Sequence, residues 1–409
     1  MDISIIKHDK CRLCGSKKVV RFLTLDGLPL TDNLLTKKEL GTEFIFPLDL
    51  YVCEECFLVQ TLHDVNVGEY YKDYLYSISF SEFARRFAEL LAKRLVEKYG
   101  SAVELNVIDI GGGDGLQLEY FKKLGANVFC IEPSEYLSKI SRGKGIDTAS
   151  CLFTFDTVQR IPEKYLPANI VVSSYTFDHV SDPKDFLKAI RKIIDREKGV
   201  VVIEVHDFEK IRNRREYCLF QHEHTTYYTT ATLQNVLASE HFVLLETEIL
   251  TNQEKRGNSL LVVAAPEESI WAREAKNKIS LNEYCKTSTY EKFGIEIKES
   301  LQKFRSYVEK RTNEGVVLAG FGAAGRGILS LAASEVSFPK IRCMFDNNRS
   351  IHSYYTPRSH VLIESPEKIE DFGVNEIIVF SYGYFGEIKN SLKGFIENGG
   401  KLTSLLEVI

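Results

Sequence analysis

Two stretches of this chain run from an apolar strand straight into a glycine turn and on into a helix, and no other feature limits the fold so strongly. The first is Val107-Ile108-Asp109-Ile110-Gly111-Gly112-Gly113-Asp114-Gly115 followed by LQLEYFKKLG; the second is GVVLAGFGAAGRGILSLAA, which holds Gly320, Gly322 and Gly325. Strands that alternate with helices build parallel sheets covered on both faces. Around the first unit the alternation continues. SEFARRFAELLAKRLVEKY has amphipathic helical spacing, and NVFCIEPS, NIVVSSYTFDHV, GVVVIEVHD and SLLVVAAPE read as strands. IRCMFDNN, NEIIVFSYG and GKLTSLLEVI follow the second unit. The expected class is α/β: a small N-terminal module over 1–70, a Rossmann-like central domain over 71–267, and a helical bridge leading into a second Rossmann-like domain, together 268–409.

The 409 residues are too many for one ordinary core, in keeping with several domains. An apolar fraction of 44% and a net charge of -5, with Lys and Arg spread along the chain, give no basic footprint for nucleic acid or an anionic membrane. No run reaches the length of a membrane span, and MDISIIKHDK lacks the apolar centre of a signal peptide. A cytoplasmic protein without nucleic-acid or membrane partners is expected. The sequence is silent on oligomeric state.

Four of the nine cysteines stand as two CxxC pairs, Cys11/Cys14 and Cys53/Cys56, each beside a turn. Four thiolates in a tetrahedron form a closed structural zinc site, with no position left for substrate. Zn2+ is therefore expected to fold the module rather than to catalyse. The competing readings are pairs of core cysteines or a redox motif, and no thioredoxin-like βαβ pattern surrounds either pair.

The glycines at Gly111, Gly113 and Gly115 let a ligand approach the backbone, and the helix that follows offers unpaired N–H groups. That suits a dinucleotide or S-adenosylmethionine (SAM). Asp114 discriminates between them, because it would repel a pyrophosphate but can pair with the cationic amino group of SAM. Glu132, at the end of the next strand, can accept from both ribose hydroxyls. With Asp109 on the preceding strand, the pattern reads as a class I SAM fold; an NAD-type Rossmann domain and a plain turn are the alternatives.

His179 follows the strand NIVVSSYTFDHV, at the end where open α/β sheets present ligands. Further on, Gln221-His222-Glu223-His224 packs two imidazoles around a carboxylate that can fix a tautomer or raise basicity. General-base chemistry, a metal site lacking its third ligand, and a solvated loop are all open here. Tyr74 and Tyr76 add phenols before the first long helix.

These motifs, together with Leu25 to Leu30, Pro47 to Leu50, Cys53 to Gln60 and Tyr355-Thr356-Pro357, make the chain resemble the deoxysugar C-methyltransferases over nearly its whole length. The resemblance implies methylation of a carbon beside the keto group of a nucleoside-diphosphate 4-keto-deoxysugar. It implies His224 as base, Glu223 as its orienting carboxylate, and His179 and Tyr76 as holders of the enolate oxygen or sugar hydroxyls. Two positions depart from the family: Gln221 stands where Tyr is usual, and Tyr175 where Asn is usual.

Gly320-Phe321-Gly322-Ala323-Ala324-Gly325-Arg326-Gly327 matches GxGxxG, with Asp346 after the next strand. Taken alone it fits NAD(P). The resemblance implies instead that the turn amides and Arg326 hold the sugar-nucleotide diphosphate, with Asp346 near its sugar; a structural turn is the third possibility. An N- or O-methyltransferase, a bifunctional enzyme with an NAD(P)-binding C-terminal domain, and a non-catalytic zinc scaffold are the competing functions.

Overall fold

The computed structural model describes residues 3–31, 33–65, 82–100, 104–275 and 286–409. They fall into two compact units. One draws on Met1–Val19, Cys53–Phe208 and His224–Cys285, and the other on Val20–Val52, Glu209–Glu223 and Lys286–Ile409.

The first unit is built on seven strands: β1 (Asn106–Ile110), β2 (Asn127–Ile131), β3 (Asp147–Ala149), β4 (Ile170–Ser174), β5 (Val200–His206), β6 (Phe242–Glu246) and β7 (Ser259–Pro266). They lie in the order β3-β2-β1-β4-β5-β7-β6. All pairings are parallel except those of β7, which runs antiparallel to β5 and β6. This is the class I SAM-methyltransferase topology that the sequence leads one to expect. Successive strand residues serve opposite faces. Ile108, Val171, Val201 and Ile203 join one core cluster, and Val107, Ile170, Val172, Val200 and Val202 the other. Strands buried on both faces read as the unbroken apolar runs seen in the sequence.

Helix α1 (Glu82–Tyr99) lays Phe87, Leu91, Leu95 and Tyr99 along one stripe, the spacing of a helix face against a sheet. Helix α2 (Leu116–Lys123) and helix α3 (Glu135–Gly143) follow β1 and β2. Helix α4 (Pro183–Ile193) starts where Asp182 accepts from the Lys184 and Asp185 amides at 3.0 Å, with Pro183 at its first position. The order of connection reverses between β1 and β4, so the ligand crevice of this sheet lies at their carboxyl ends.

The second unit holds β8 (Leu318–Phe321), β9 (Ile341–Phe345), β10 (Ile363–Glu364), β11 (Glu376–Val379) and β12 (Lys401–Ser404), all parallel in the order β10-β9-β8-β11-β12. Helix α5 (Thr287–Asn313) leads into β8, and helix α6 (Arg326–Ala333) follows the glycine turn. The compact units do not follow the chain in order: residues 20–52 belong to the same unit as the C-terminal sheet. Phe22 meets Tyr290 and Phe293 of α5. The Arg358 guanidinium donates to the Asp26 and Gly27 carbonyls, and Glu43 pairs with His360 at 2.6 Å.

Candidate active site

In the first unit the four cysteine sulfurs all lie within 4.8 Å of one another, with Cys11–Cys56 and Cys14–Cys53 at 3.5 Å. Tetrahedral zinc with bonds of about 2.3 Å puts sulfurs roughly 3.8 Å apart, so the set fits the metal. Each pair forms the same turn. Gly15 N donates to Cys11 O and Phe57 N to Cys53 O, both at 2.9 Å, and both Gly15 and Phe57 have positive φ. Gln60 Nε2 donates to Cys11 Sγ at 3.2 Å while its Oε1 accepts from Arg12 N at 2.8 Å, so the amide is oriented by its neighbours.

At the switch point, Gly111 has φ of 74°, and a Cβ there would collide with the Thr176 hydroxyl after β4. Glu132 spans the crevice edge: Oε2 accepts from Gly113 N at 2.9 Å and Oε1 from Ser134 N at 2.8 Å. A Cβ on Gly113 would meet open space, as a ligand cradle requires. Burial, and after it the Glu132 charge, push the Asp109 carboxyl up to about 7. Asp114 has partners of its own, Leu116 N at 3.2 Å and Lys144 Nζ at 3.4 Å. Three buried carboxylates, Asp109, Asp114 and Glu132, gather about one glycine turn. That charge suits the cationic methionine end of SAM and opposes a pyrophosphate.

Next to the crevice lies a group of imidazoles that sequence motifs reveal only in part. His179 and His224 come together with ring centroids 4.6 Å apart, and His206, the last residue of β5, stands 4.8 Å from His224. Asp178 is buried among them. Its Oδ2 accepts from His206 Nδ1 at 2.8 Å, and its Oδ1 lies 4.0 Å from His179 Nε2. Burial, with the His224 charge next, pushes His179 down to about 3 and keeps it neutral. Tyr175, at φ 49°, places its ring 4.6 Å from His206 and lies beneath the Arg256 guanidinium. Arg256 in turn makes a two-point ion pair with buried Glu204. Sequence reasoning missed Asp178 and His206. The available signal was position, since both stand at carboxyl ends of parallel strands.

The other three members of the histidine run belong to the second unit and meet partners there. His222 Nε2 is 3.1 Å from Leu28 O and 3.2 Å from Phe46 O, so it carries a hydrogen and donates. Glu223 Oε1 accepts from Thr31 N at 3.3 Å, and Gln221 Oε1 from the Thr31 hydroxyl at 3.4 Å. Tyr76 lies outside the described residues. At the second glycine turn, Asp346 Oδ2 accepts from Ala323 N at 2.8 Å and Oδ1 from Asn348 N at 2.9 Å. Gly320 has no room for a side chain against Met344 and Phe380, and Gly322 at φ 94° has none against Ser381. Gly325, at φ 25°, opens α6, and Arg326 lies over the Tyr382 ring.

Among the described residues no helix is long and apolar enough to cross a membrane. Three family models match along the chain: a zinc binding domain over 11–71, a methyltransferase domain over 80–247 and a C-methyltransferase C-terminal domain over 250–406. The C-methyltransferase NovU of Streptomyces niveus is 25% identical over 399 residues, covering 96% of this chain and 94% of its own. Among solved structures, the plantazolicin methyltransferase BpumL with SAH is 14% identical over 45% of this chain and 84% of its own, at TM-score 0.36. The magnesium protoporphyrin IX methyltransferase of Synechocystis PCC 6803 with bound SAM is 13% identical over 49% and 95%, at TM-score 0.35. Zinc-binding, methyltransferase and C-methyltransferase C-terminal domains thus follow one another along a chain that aligns over nearly its whole length with a C-methyltransferase, and the protein is a SAM-dependent methyltransferase.

Proposed function

We propose that the enzyme methylates the carbon beside the keto group of a nucleoside-diphosphate 4-keto-deoxysugar through an enolate. The observation that carries this reading is the cluster of His179, His206, His224 and Asp178 at the carboxyl ends of β4 and β5, in which Asp178 and His224 are buried and the other two half-buried. A C–H beside a ketone is only weakly acidic, so its removal needs a positioned base and a donor on the oxygen that gains charge. His224 takes the carbon-bound proton. His179, held neutral, offers a ring N–H to the enolate oxygen. SAM, when bound, supplies an electrophilic methyl. Glu132 would accept from its ribose hydroxyls, and Asp114 would share its charge between Lys144 and the amino group. The second unit has a candidate nucleotide site of its own in the turn at Gly320–Arg326 and the Asp346 carboxylate.

Incubation with labelled SAM and a panel of 4-ketosugar nucleotides tests this by locating the methyl. His224→Asn should lower turnover by at least about a hundredfold while SAM still binds. Methyl gain on nitrogen or oxygen, or near-normal turnover of the variant, would overturn the reading. A second reading rests on Asp346: a carboxylate at the end of β9 beside a GxGxxG turn is also where NAD(P) presents its ribose. Titration with NADH, followed by fluorescence, separates the two.

A further inference from the structure

We propose that the carboxylate partner of the His224 base is Asp178, acting through His206, and that Glu223 does not fill this role; the proposal rests on the reading of His224 as base. Asp178 is buried, its Oδ2 accepts from His206 Nδ1 at 2.8 Å, and its Oδ1 has no hydrogen-bond partner among the described residues. His206 lies 4.8 Å from His224 by ring centroids, and a carboxylate oxygen of Asp178 and ring nitrogens of His179 and His224 lie within 4.8 Å of one another. The carboxylate is thus bonded to one ring and stands within 4.8 Å of nitrogens of the other two. The other groups about the cluster are Tyr227, whose ring is 6.1 Å from that of His224, the buried phenol of Tyr228, and Tyr175 with the Arg256–Glu204 pair. Glu223 Oε1 accepts from Thr31 N at 3.3 Å.

The chemistry requires such a charge. As the substrate C–H bond breaks, its electron pair becomes the enolate and the proton makes His224 an imidazolium. The enolate carbon then forms its bond to the methyl as the S–CH3 bond breaks, the sulfur keeping that pair and leaving as a neutral sulfide. The proton leaves His224 for solvent at the end of the cycle. Through both steps an imidazolium stands in a buried place, where a nearby opposite charge shifts a pKa by roughly one to three units. Asp178 also fixes His206 as the Nδ1–H tautomer. Asp178 and His206 are positioning residues; His224 is the group that meets substrate.

The test needs no substrate, so its result stands apart from the identity of the sugar. In the full-length zinc-loaded enzyme with SAH, the imidazole signals of nine histidines can be followed by NMR across pH, His224 being assigned by its loss in His224→Asn. Asp178→Asn, which keeps the shape and the main-chain acceptor for Thr225 N, should lower the His224 midpoint by about one unit, whereas Glu223→Gln should leave it in place. His206→Asn should lower it similarly, and the double variant by no more than either single, because the two act as one link. With a ketosugar nucleotide that turns over, the acid limb of kcat/KM should move to lower pH by the same amount. A larger shift in Glu223→Gln than in Asp178→Asn, or additive shifts in the double variant, would overturn the proposal. So would a second tightly held metal per chain that disappears in Asp178→Asn.

Discussion

Glu132→Gln is the sharpest probe of the cofactor site, because both carboxylate oxygens already accept from the loop, one from Gly113 N at 2.9 Å and the other from Ser134 N at 2.8 Å. The amide keeps one acceptor and turns an NH2 towards the other N–H. A hydrogen bond to a charged group contributes roughly 1.5–3 kcal/mol, and a buried donor left without an acceptor costs about 1–3 kcal/mol. Burial raises the Glu132 carboxyl, so desolvation offsets part of this and the lower end applies, about 1.5 kcal/mol on the loop. With Glu132 in its proposed role, one of the two ribose hydroxyls loses its acceptor as well. Together these should weaken SAH binding by roughly tenfold to a hundredfold. Removing the charge should also let Asp109 ionise more readily, since Glu132 is, after burial, what raises it. Calorimetric titration of the two proteins with SAH measures the first effect. A Kd within about twofold of the parent enzyme would refute the reasoning, since the carboxylate would then serve the loop and not the ligand.

The zinc site should contain one metal per chain by elemental analysis. Cys53→Ser should abolish it and lower the unfolding temperature, because metal binding is folding energy; full stability without metal would contradict this. Glu376, buried in the second unit, would be raised by burial, yet bonds from Thr403, Tyr307, Lys401 and Arg311 hold it down to about 2. A depressed carboxyl stabilises above its ordinary pKa and loses that contribution as pH falls towards the folded value. Glu376→Gln should therefore destabilise at pH 7 by up to about 3 kcal/mol. The difference from the parent should shrink by about 2 kcal/mol at pH 3, read as amide-exchange protection on β11 and β12.

Local features were legible in the sequence. The two CxxC pairs, the Gly111–Gly115 turn and the apolar runs of β1, β4 and β5 announce themselves because each is defined by neighbours along the chain. The docking of residues 20–52 does not, since its partners, Phe293 and Arg358, stand far along the chain and carry no local signal. The histidine run misled in part for the converse reason. Adjacent residues were read as one cluster, whereas the backbone passes from one compact unit to the other between Glu223 and His224. A carboxylate that meets these imidazoles is Asp178, on the loop after β4, bonded to a residue that closes β5.

That passage back and forth bears on how such an enzyme could be rebuilt. Arg12, set inside the first metal-binding turn, reaches Asp64 at 2.7 Å, Thr61 O at 2.9 Å and Ser181 O at 3.1 Å, just beyond His179. Cys11 and Leu13 share a core with Ile108, Phe177 and Tyr228. The cysteine turns are thus sewn into the methyl-transfer body, while the segment between them is part of the other. A hybrid made by joining two relatives near residue 70 or residue 267 would cut both bodies apart. An exchange that respects the architecture moves residues 20–52, 209–223 and 286–409 together, as two insertions into one retained frame and a third piece that follows it.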